Sequence, residues 1–248
     1  MGVNFLHKYK GSVLVILLLC STSAISQTVI KVVFEPAFQG QSLILNKQYY
    51  LPEINDSVQF STLRFYLSGF SGVDSKGANT ALKGKGGSEN FHLLDLNVLE
   101  SMQLNLAGKS INEIASIKFN LGVDSTTNYT GAHSGDLDPM HGMYWAWQSG
   151  YINFKLEGNS KTCTTRKNRF QFHIGGFQHP YNSFRSIQLK VPRAQQNITK
   201  GGVKTFVVQM ELEPLLKKLF LSKNYHVMRP GAKAMEVATV IGDVFKVK

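Results

Sequence analysis

Phe206-Val207-Val208-Gln209-Met210-Glu211-Leu212 sets Phe206, Val208, Met210 and Leu212 at alternate positions, with Val207, Gln209 and Glu211 between them. A strand turns successive side chains to opposite faces, so a period of two marks a half-buried β-strand. The same period recurs along the chain. Ile30, Val32 and Phe34 alternate with Lys31 and Glu35, and Leu63, Phe65 and Leu67 with Arg64, Tyr66 and Ser68. Ala115, Ile117, Phe119 and Leu121 alternate with Ser116, Lys118 and Asn120. Phe170, Phe172 and Ile174 enclose Gln171 and His173, and Ile187, Leu189 and Val191 enclose Gln188 and Lys190. Repeated half-buried strands predict an all-β chain, an antiparallel two-sheet sandwich with long loops.

Three turn-rich stretches separate these strands. They are 71–89 (SGVDSKGANTALKGKGGSE), 123–142, and 157–167. Loops of such length in a compact domain are functional or disordered, and the second carries most of the chemistry. Helical signal is confined to the C-terminal end. Residues 213–222 (EPLLKKLFLS) fit two or three turns with Pro214 at a tolerated early position. Residues 230–244 space Ala232, Ala234, Val237, Ala238 and Ile241 along one face. A short helical C-terminal tail is therefore expected.

The chain has 248 residues, 43% of them hydrophobic and only 17% charged, enough for a sizeable core. Its first 26 residues read as an address. Lys8 and Lys10 precede the apolar run Ser12 to Cys20, and small polar residues follow up to Ser26. The run falls short of the roughly 20 residues a membrane span needs, so residues 1–26 are expected to be a cleaved signal peptide. Leu19 stands where a lipidation signal before Cys20 wants a small residue. A single domain over 27–248, periplasmic or extracellular and without a transmembrane span, follows. Cys163 is then the lone thiol, and burial is its expected fate. The net charge is +11. Its clusters, Lys83–Lys85, Lys161–Arg169, Lys217-Lys218 and Arg229–Lys233, lie in predicted loops without the aromatic interleaving of a stacking platform. A solvated basic surface is expected, not a nucleic-acid interface.

The two tryptophans of the chain stand together in Met143-Tyr144-Trp145-Ala146-Trp147-Gln148-Ser149-Gly150-Tyr151. Read as a strand, this puts Met143, Trp145 and Trp147 on one side, while Ile152, Phe154 and Leu156 have the opposite parity. A bulge at Ser149-Gly150 would bring both sets to one face, with the indoles in the core. The other reading is a soft-metal site, since His133, Asp136, Asp138, Met140 and His141 lie just upstream. His92 and His173 sit within strands, His179 follows His173 by six residues, and His226 and Met228 are soft donors at period two. Imidazole with thioether favours copper by ligand softness. No metalloprotease helix motif, CxxC pair, calcium loop, nucleophile elbow or phosphate-binding glycine loop is present. Glu89 and Glu157 have no partner that sequence can place for glycoside chemistry. No enzymatic activity is expected.

Asn120-Leu121-Gly122-Val123-Asp124, Asn128, Leu137-Asp138-Pro139 and Gly142 to Tyr151 together resemble the MbnP-like family. These are exported bacterial proteins named for a member associated with methanobactin, a copper-scavenging compound. Ser68-Gly69-Phe70, Phe91 to Asp95, Lys155 to Gly158, Phe172 to Gly176 and Val227 to Gly231 are similar to family elements too. The resemblance implies a β-rich scaffold that binds copper, as Cu(I), outside the cytoplasm. In some relatives a tryptophan is oxidised to kynurenine and joins the copper site with histidines. Here Trp145 or Trp147 would be that ring. His173 and His92 match recurrent positions, and His133 and His141 lie near the indoles in sequence. A di-haem protein of the bacterial peroxidase type and an outer-membrane receptor are the implied partners.

The function expected is thus a non-catalytic exported copper-binding protein for storage, delivery or uptake. His173 and one of His92, His133 or His141 would hold the ion beside the Trp pair. A metal-free β-sandwich module for surface adhesion or assembly is the alternative.

Overall fold

The computed structural model describes residues 28–84, 90–108, 111–147, 150–198, 202–221 and 223–248. The segment read as a signal peptide lies outside the described residues, as do Lys85 and Ser149. Two sheets face each other across a core. The smaller runs, in spatial order, Phe245–Val247, Val203–Glu211, Thr28–Phe38, Gln103–Gly108 and Lys83–Gly84, with Gln41–Ser42 also on Thr28–Phe38. The larger runs Arg185–Lys190, Ser116–Leu121, Asp56–Val73, Gly150–Asn159, Arg169–Gly175 and His226–Val227. Gln48–Leu51, Asn79–Ala81 and Phe91–Asp95 add to the long strand Asp56–Val73, and Tyr144–Trp145 adds to Gly150–Asn159.

The period of two set the inner faces. Ile30, Val32, Leu63, Phe65, Leu67, Phe170, Phe172, Phe206, Val208, Met210 and Leu212 are buried in the core. Phe34 of the smaller sheet meets Phe119 and Phe65 of the larger edge-to-face, at 5.8 and 6.5 Å between ring centroids. Cys163 is buried with them, as expected.

The all-β sandwich stands, with two departures from an all-antiparallel arrangement. Thr28–Phe38 and Val203–Glu211 pair in parallel, Val29 opposite Val203 through Ala37 opposite Glu211. His226–Val227 is parallel to Arg169–Gly175. Alternation fixes a strand's faces but is the same read in either direction, so it cannot show the sense of pairing. The helices Glu213–Leu221 and Ala232–Gly242 fall where expected. The second buries Ala234, Val237, Ala238 and Ile241. The tail is not wholly helical, because Phe245–Val247 returns as an edge strand against Val203–Glu211. Two expected loops are also shorter than predicted. The long strand continues through Val73 and pairs with Asn79–Ala81, and Gly150–Asn159 extends past Glu157.

A second, smaller apolar cluster lies on the outer face of the larger sheet. Tyr66, Val123, Leu137, Met143, Trp145, Tyr151 and Ile152 form it, with Phe91, Leu93 and Tyr144 packed against them. It exists because the register of Gly150–Asn159 against Arg169–Gly175 shifts between Ile152 and Phe154. The shift sends Ile152 to the outer cluster and Phe154 to the main core. Ser149, where a bulge was expected, lies outside the described residues, and the register shift that the structure shows falls at Asn153. Trp145 fills the outer cluster rather than the sandwich core.

Candidate metal centre

The segment from Gly122 to Trp147 is bound to the sheet by buried polar groups. Gly122 has a φ of +106°, and a Cβ there would stand 2.4 Å from the Asn153 side chain. Asn153 Oδ1 accepts from the Val123 N–H at 3.0 Å, and its Nδ2 donates to Ser183 Oγ at 2.8 Å. Asp124 caps the short helix Ser125–Tyr129 by accepting from the Thr127 N–H. Asn128 donates to the Val123 and Asp124 carbonyls and accepts from the Tyr151 N–H. The acidic pair of this loop has structural work. Asp136 accepts from the Leu93 N–H at 2.9 Å, and Asp138 from the Met140 N–H at 2.8 Å. Arg64 Nη1 donates to the His141 carbonyl and Lys155 Nζ to the Gly142 carbonyl, which tie the loop's end to the sheet.

Trp145 and Trp147 do not share one strand face. Tyr144–Trp145 folds back on Gly150–Asn159, Trp145 opposite Gly150, and Trp147 lies in the connecting turn. Trp145 is 6% exposed and Trp147 65%. Their rings still touch, 5.6 Å between centroids at 42°. The Trp145 ring lies over Gly175, where a Cβ would come within 2.6 Å of Cζ3. Glycine at 175 is what leaves room for the indole on the sheet.

His173 shares that face, since it stands two residues from Gly175 on one strand. It is 6% exposed. His173 Nε2 donates to Glu157 Oε1 at 2.5 Å from the neighbouring strand. An ionised carboxylate only accepts, so Nε2 carries the proton and Nδ1 is the lone-pair nitrogen in the neutral ring. The His173 hydrogen bond outweighs desolvation and, with Lys155 nearby, lowers the Glu157 carboxyl to about 2. Glu157 was not recognisable as this partner from sequence, because the contact crosses two strands.

The other imidazoles are held elsewhere. His92 packs edge-on against Phe70 at 5.8 Å and lines a separate groove with Lys83, Asn90, Lys118 and Asn120. His133 Nε2 bonds Thr130 Oγ1 at 2.9 Å, and the His133 backbone N–H donates to Tyr151 Oη. His141 Nε2 bonds the Gly135 carbonyl at 3.1 Å. His133 and His141 are thus engaged within their own loop. Among the described residues, no three of His, Cys, Asp and Glu gather as a metal site of that kind requires. His179, noted in the sequence for its spacing from His173, lines a small groove with Trp145, Phe177, Tyr181 and Pro230. A larger groove of 680 Å³ runs along Trp147, His226, Met228, Arg229 and Lys233.

A family model described as MbnP matches residues 27–231. The chain belongs to the MbnP family. Among solved structures, MbnP from Methylosinus trichosporium is similar with a TM-score of 0.57 at 15% identity, over 77% of this chain and 78% of that one. Likeness at that identity speaks for the fold alone. Comparison with curated proteins gives no match. The MbnP match takes in the indole pair, His173, Glu157 and the His226–Met228 segment. Helix Ala232–Gly242 and strand Phe245–Val247 lie beyond the matched residues. No helix among the described residues is long and apolar enough to cross a membrane.

Proposed function

We propose that this MbnP-family protein is an exported, non-catalytic copper-binding protein, with His173 as the principal ligand and the Trp145–Trp147 pair as the wall of its site. The observation that carries the reading is the buried His173, backed by Glu157, on the sheet face that Trp145 covers. Metal-binding histidines commonly donate their second ring N–H to a carboxylate, which fixes the tautomer and raises the basicity of the ligating nitrogen. Glu157 stands in that position toward His173.

The donor chemistry fits a soft, low-coordinate ion. A divalent site built from three or more histidine, cysteine or carboxylate ligands is not assembled among the described residues. Cu(I) is satisfied by few, soft or borderline donors such as imidazole and thioether. Trp145 would exclude water from the ion. Trp147, being exposed, is the ring that an oxidising protein of the di-haem peroxidase type would reach. Its conversion to kynurenine would place an aniline nitrogen near the site. Storage, delivery and uptake through an outer-membrane receptor all remain compatible with such a protein.

Anaerobic titration of the chain from residue 27 with Cu(I), against a chromophoric competitor, tests this. Binding tighter than about 1 μM is expected, lost in His173→Ala and weakened about 10–100-fold in Glu157→Gln. Unchanged affinity in His173→Ala would falsify it. The alternative, a metal-free surface or assembly module, is favoured by the engagement of His133 and His141 in loop hydrogen bonds. Metal analysis of protein purified from its host separates the two, since the module would carry no copper.

A further inference from the structure

The groove lined by Lys83 and Lys118 arises from an irregularity in the long strand Asp56–Val73. Ser68 stands between Phe91 and Asn120, and Ser71 between Ala81 and Lys118. Ser116–Leu121 therefore runs along one side of the long strand, while Phe91–Asp95 and Asn79–Ala81 share the opposite side. The register against Ser116–Leu121 shifts between Ser68 and Ser71. The strand bulges there, and a groove of about 430 Å³ opens over Gly69 and Phe70. Gly69 has a φ of +60°, and a Cβ on it would stand 2.5 Å from Asn120 Nδ2. Glycine at 69 thus lets the Asn120 carboxamide lie close over the bulge. Lys118 and Asn120 line the groove from one strand, and Asn79 and Lys83 from the segment that crosses to the smaller sheet. Asn90 lines it from the approach to Phe91–Asp95. We propose that this groove binds a phosphorylated saccharide, its phosphate between Lys83 and Lys118 and its hydroxyls on the carboxamides of Asn79, Asn90 and Asn120.

Charge and donor type select that ligand. Among the described residues no carboxylate lines the groove, and neither lysine forms an ion pair. Two ammonium groups on one concave surface focus a positive potential that nothing beside them cancels, which draws an anion and repels a cation. A phosphate monoester carries a charge of about −1.5 to −2 at pH 7 and so matches the pair, whereas a carboxylate supplies a single charge. Each carboxamide both donates and accepts, as a sugar hydroxyl does, so three of them suit a polyhydroxyl ring. Clefts for small ligands run to about 300–1,000 Å³, and this groove has room for a sugar ring with its phosphate. The site uses neither His173 nor the indoles, so it and the copper reading can fail separately.

Calorimetric titration of the chain with glucose 6-phosphate at low ionic strength tests it. One saturable site with a Kd of about 1 mM or tighter is expected, weakening as salt is added. Lys83→Gln and Lys118→Gln each weaken binding about tenfold or more. Asn120→Asp, which keeps the side chain's size and adds a like charge to the ligand's, does the same. Lys76→Gln, on an exposed turn outside the groove, leaves the affinity as it was. Glucose and inorganic phosphate each bind at least tenfold more weakly than glucose 6-phosphate, since each offers only half of the recognised chemistry. Absence of saturable binding overturns the site, as does affinity unchanged in both lysine variants. Inorganic phosphate bound as tightly as glucose 6-phosphate would mean an adventitious anion only and overturn the saccharide. Glucuronate bound as tightly would overturn the assignment of the charge to phosphate.

Discussion

Asp56 shows how one side chain can fasten a connection between strands. Its Oδ2 accepts from Ser160 Oγ at 2.6 Å, the Thr162 N–H at 2.7 Å and Thr162 Oγ1 at 3.1 Å, and its Oδ1 accepts from the Ser57 N–H. Desolvation raises this carboxyl, but the donors together outweigh it and lower it from 3.8 to about 2. The folded protein therefore favours the ionised form. The stability Asp56 contributes is present above the unfolded value and is lost as pH falls through the folded one. Asp56→Ala is expected to cost about 1–3 kcal/mol at neutral pH. The gap from the parent protein should close between pH 3.8 and about 2, as followed by urea denaturation across that range. A gap that persists at the acid end would show that Asp56 acts through packing. Close by, burial, reinforced by Asp56, pushes the Cys163 thiol up to about 12, so this cysteine is a core side chain and not a nucleophile.

At the scale of elements, the segment 123–147 is a third layer laid over the larger sheet and held by two tyrosines. Tyr151 Oη donates to the Leu137 carbonyl at 3.0 Å and accepts from the His133 N–H at 2.9 Å. Tyr66 Oη donates to the Asp136 carbonyl at 3.0 Å. The two rings meet edge-to-face at 5.8 Å. Tyr151→Phe keeps the ring and removes only the hydroxyl. Amide exchange over residues 133–142 is expected to quicken about tenfold, while that of Leu63 to Leu67 in the long strand stays as it was. Equal acceleration in both regions would mean that the layer does not open separately from the sheet. Local opening of this kind bears on function, because the layer ends at Trp145, which covers the face that His173 shares.

For the whole molecule, closure of the sandwich falls to the last strand. Phe245 meets Phe34 of the smaller sheet at 6.5 Å and Phe65 and Phe119 of the larger at 6.3 and 5.6 Å. It is a wedge between both sheets, from a segment beyond the MbnP match. Phe245→Ala should lower the unfolding free energy by about 3–5 kcal/mol, as a large aromatic lost from a core does. Equilibrium denaturation would report it as a lower midpoint. A loss under about 1 kcal/mol would indicate that the strand is peripheral to the core.

Much of the fold was legible residue by residue. The alternation around Phe65, Phe119, Phe172 and Val208 named the core, and the spacing of Ala234, Val237, Ala238 and Ile241 found the helix face. The family residues Gly122, Asp124 and Asn128 stood out in the chain, but only the structure shows them as the fastening of the loop. Less of the site could be read. His173 and the Trp pair were marked, yet the pairing of Glu157 with His173, the clearance that Gly175 gives the indole and the bulge at Asn153 were not. A period of two states which face a side chain takes and nothing about which strand lies beside it. Sheet order and pairing sense are set by contacts far apart in sequence. So the chain by itself determined the faces, the β class and the family. Tertiary structure alone decided that His173 meets Glu157 on the face covered by Trp145, that Met228 and His226 share a groove with Trp147, and that His133 and His141 bond within their own loop.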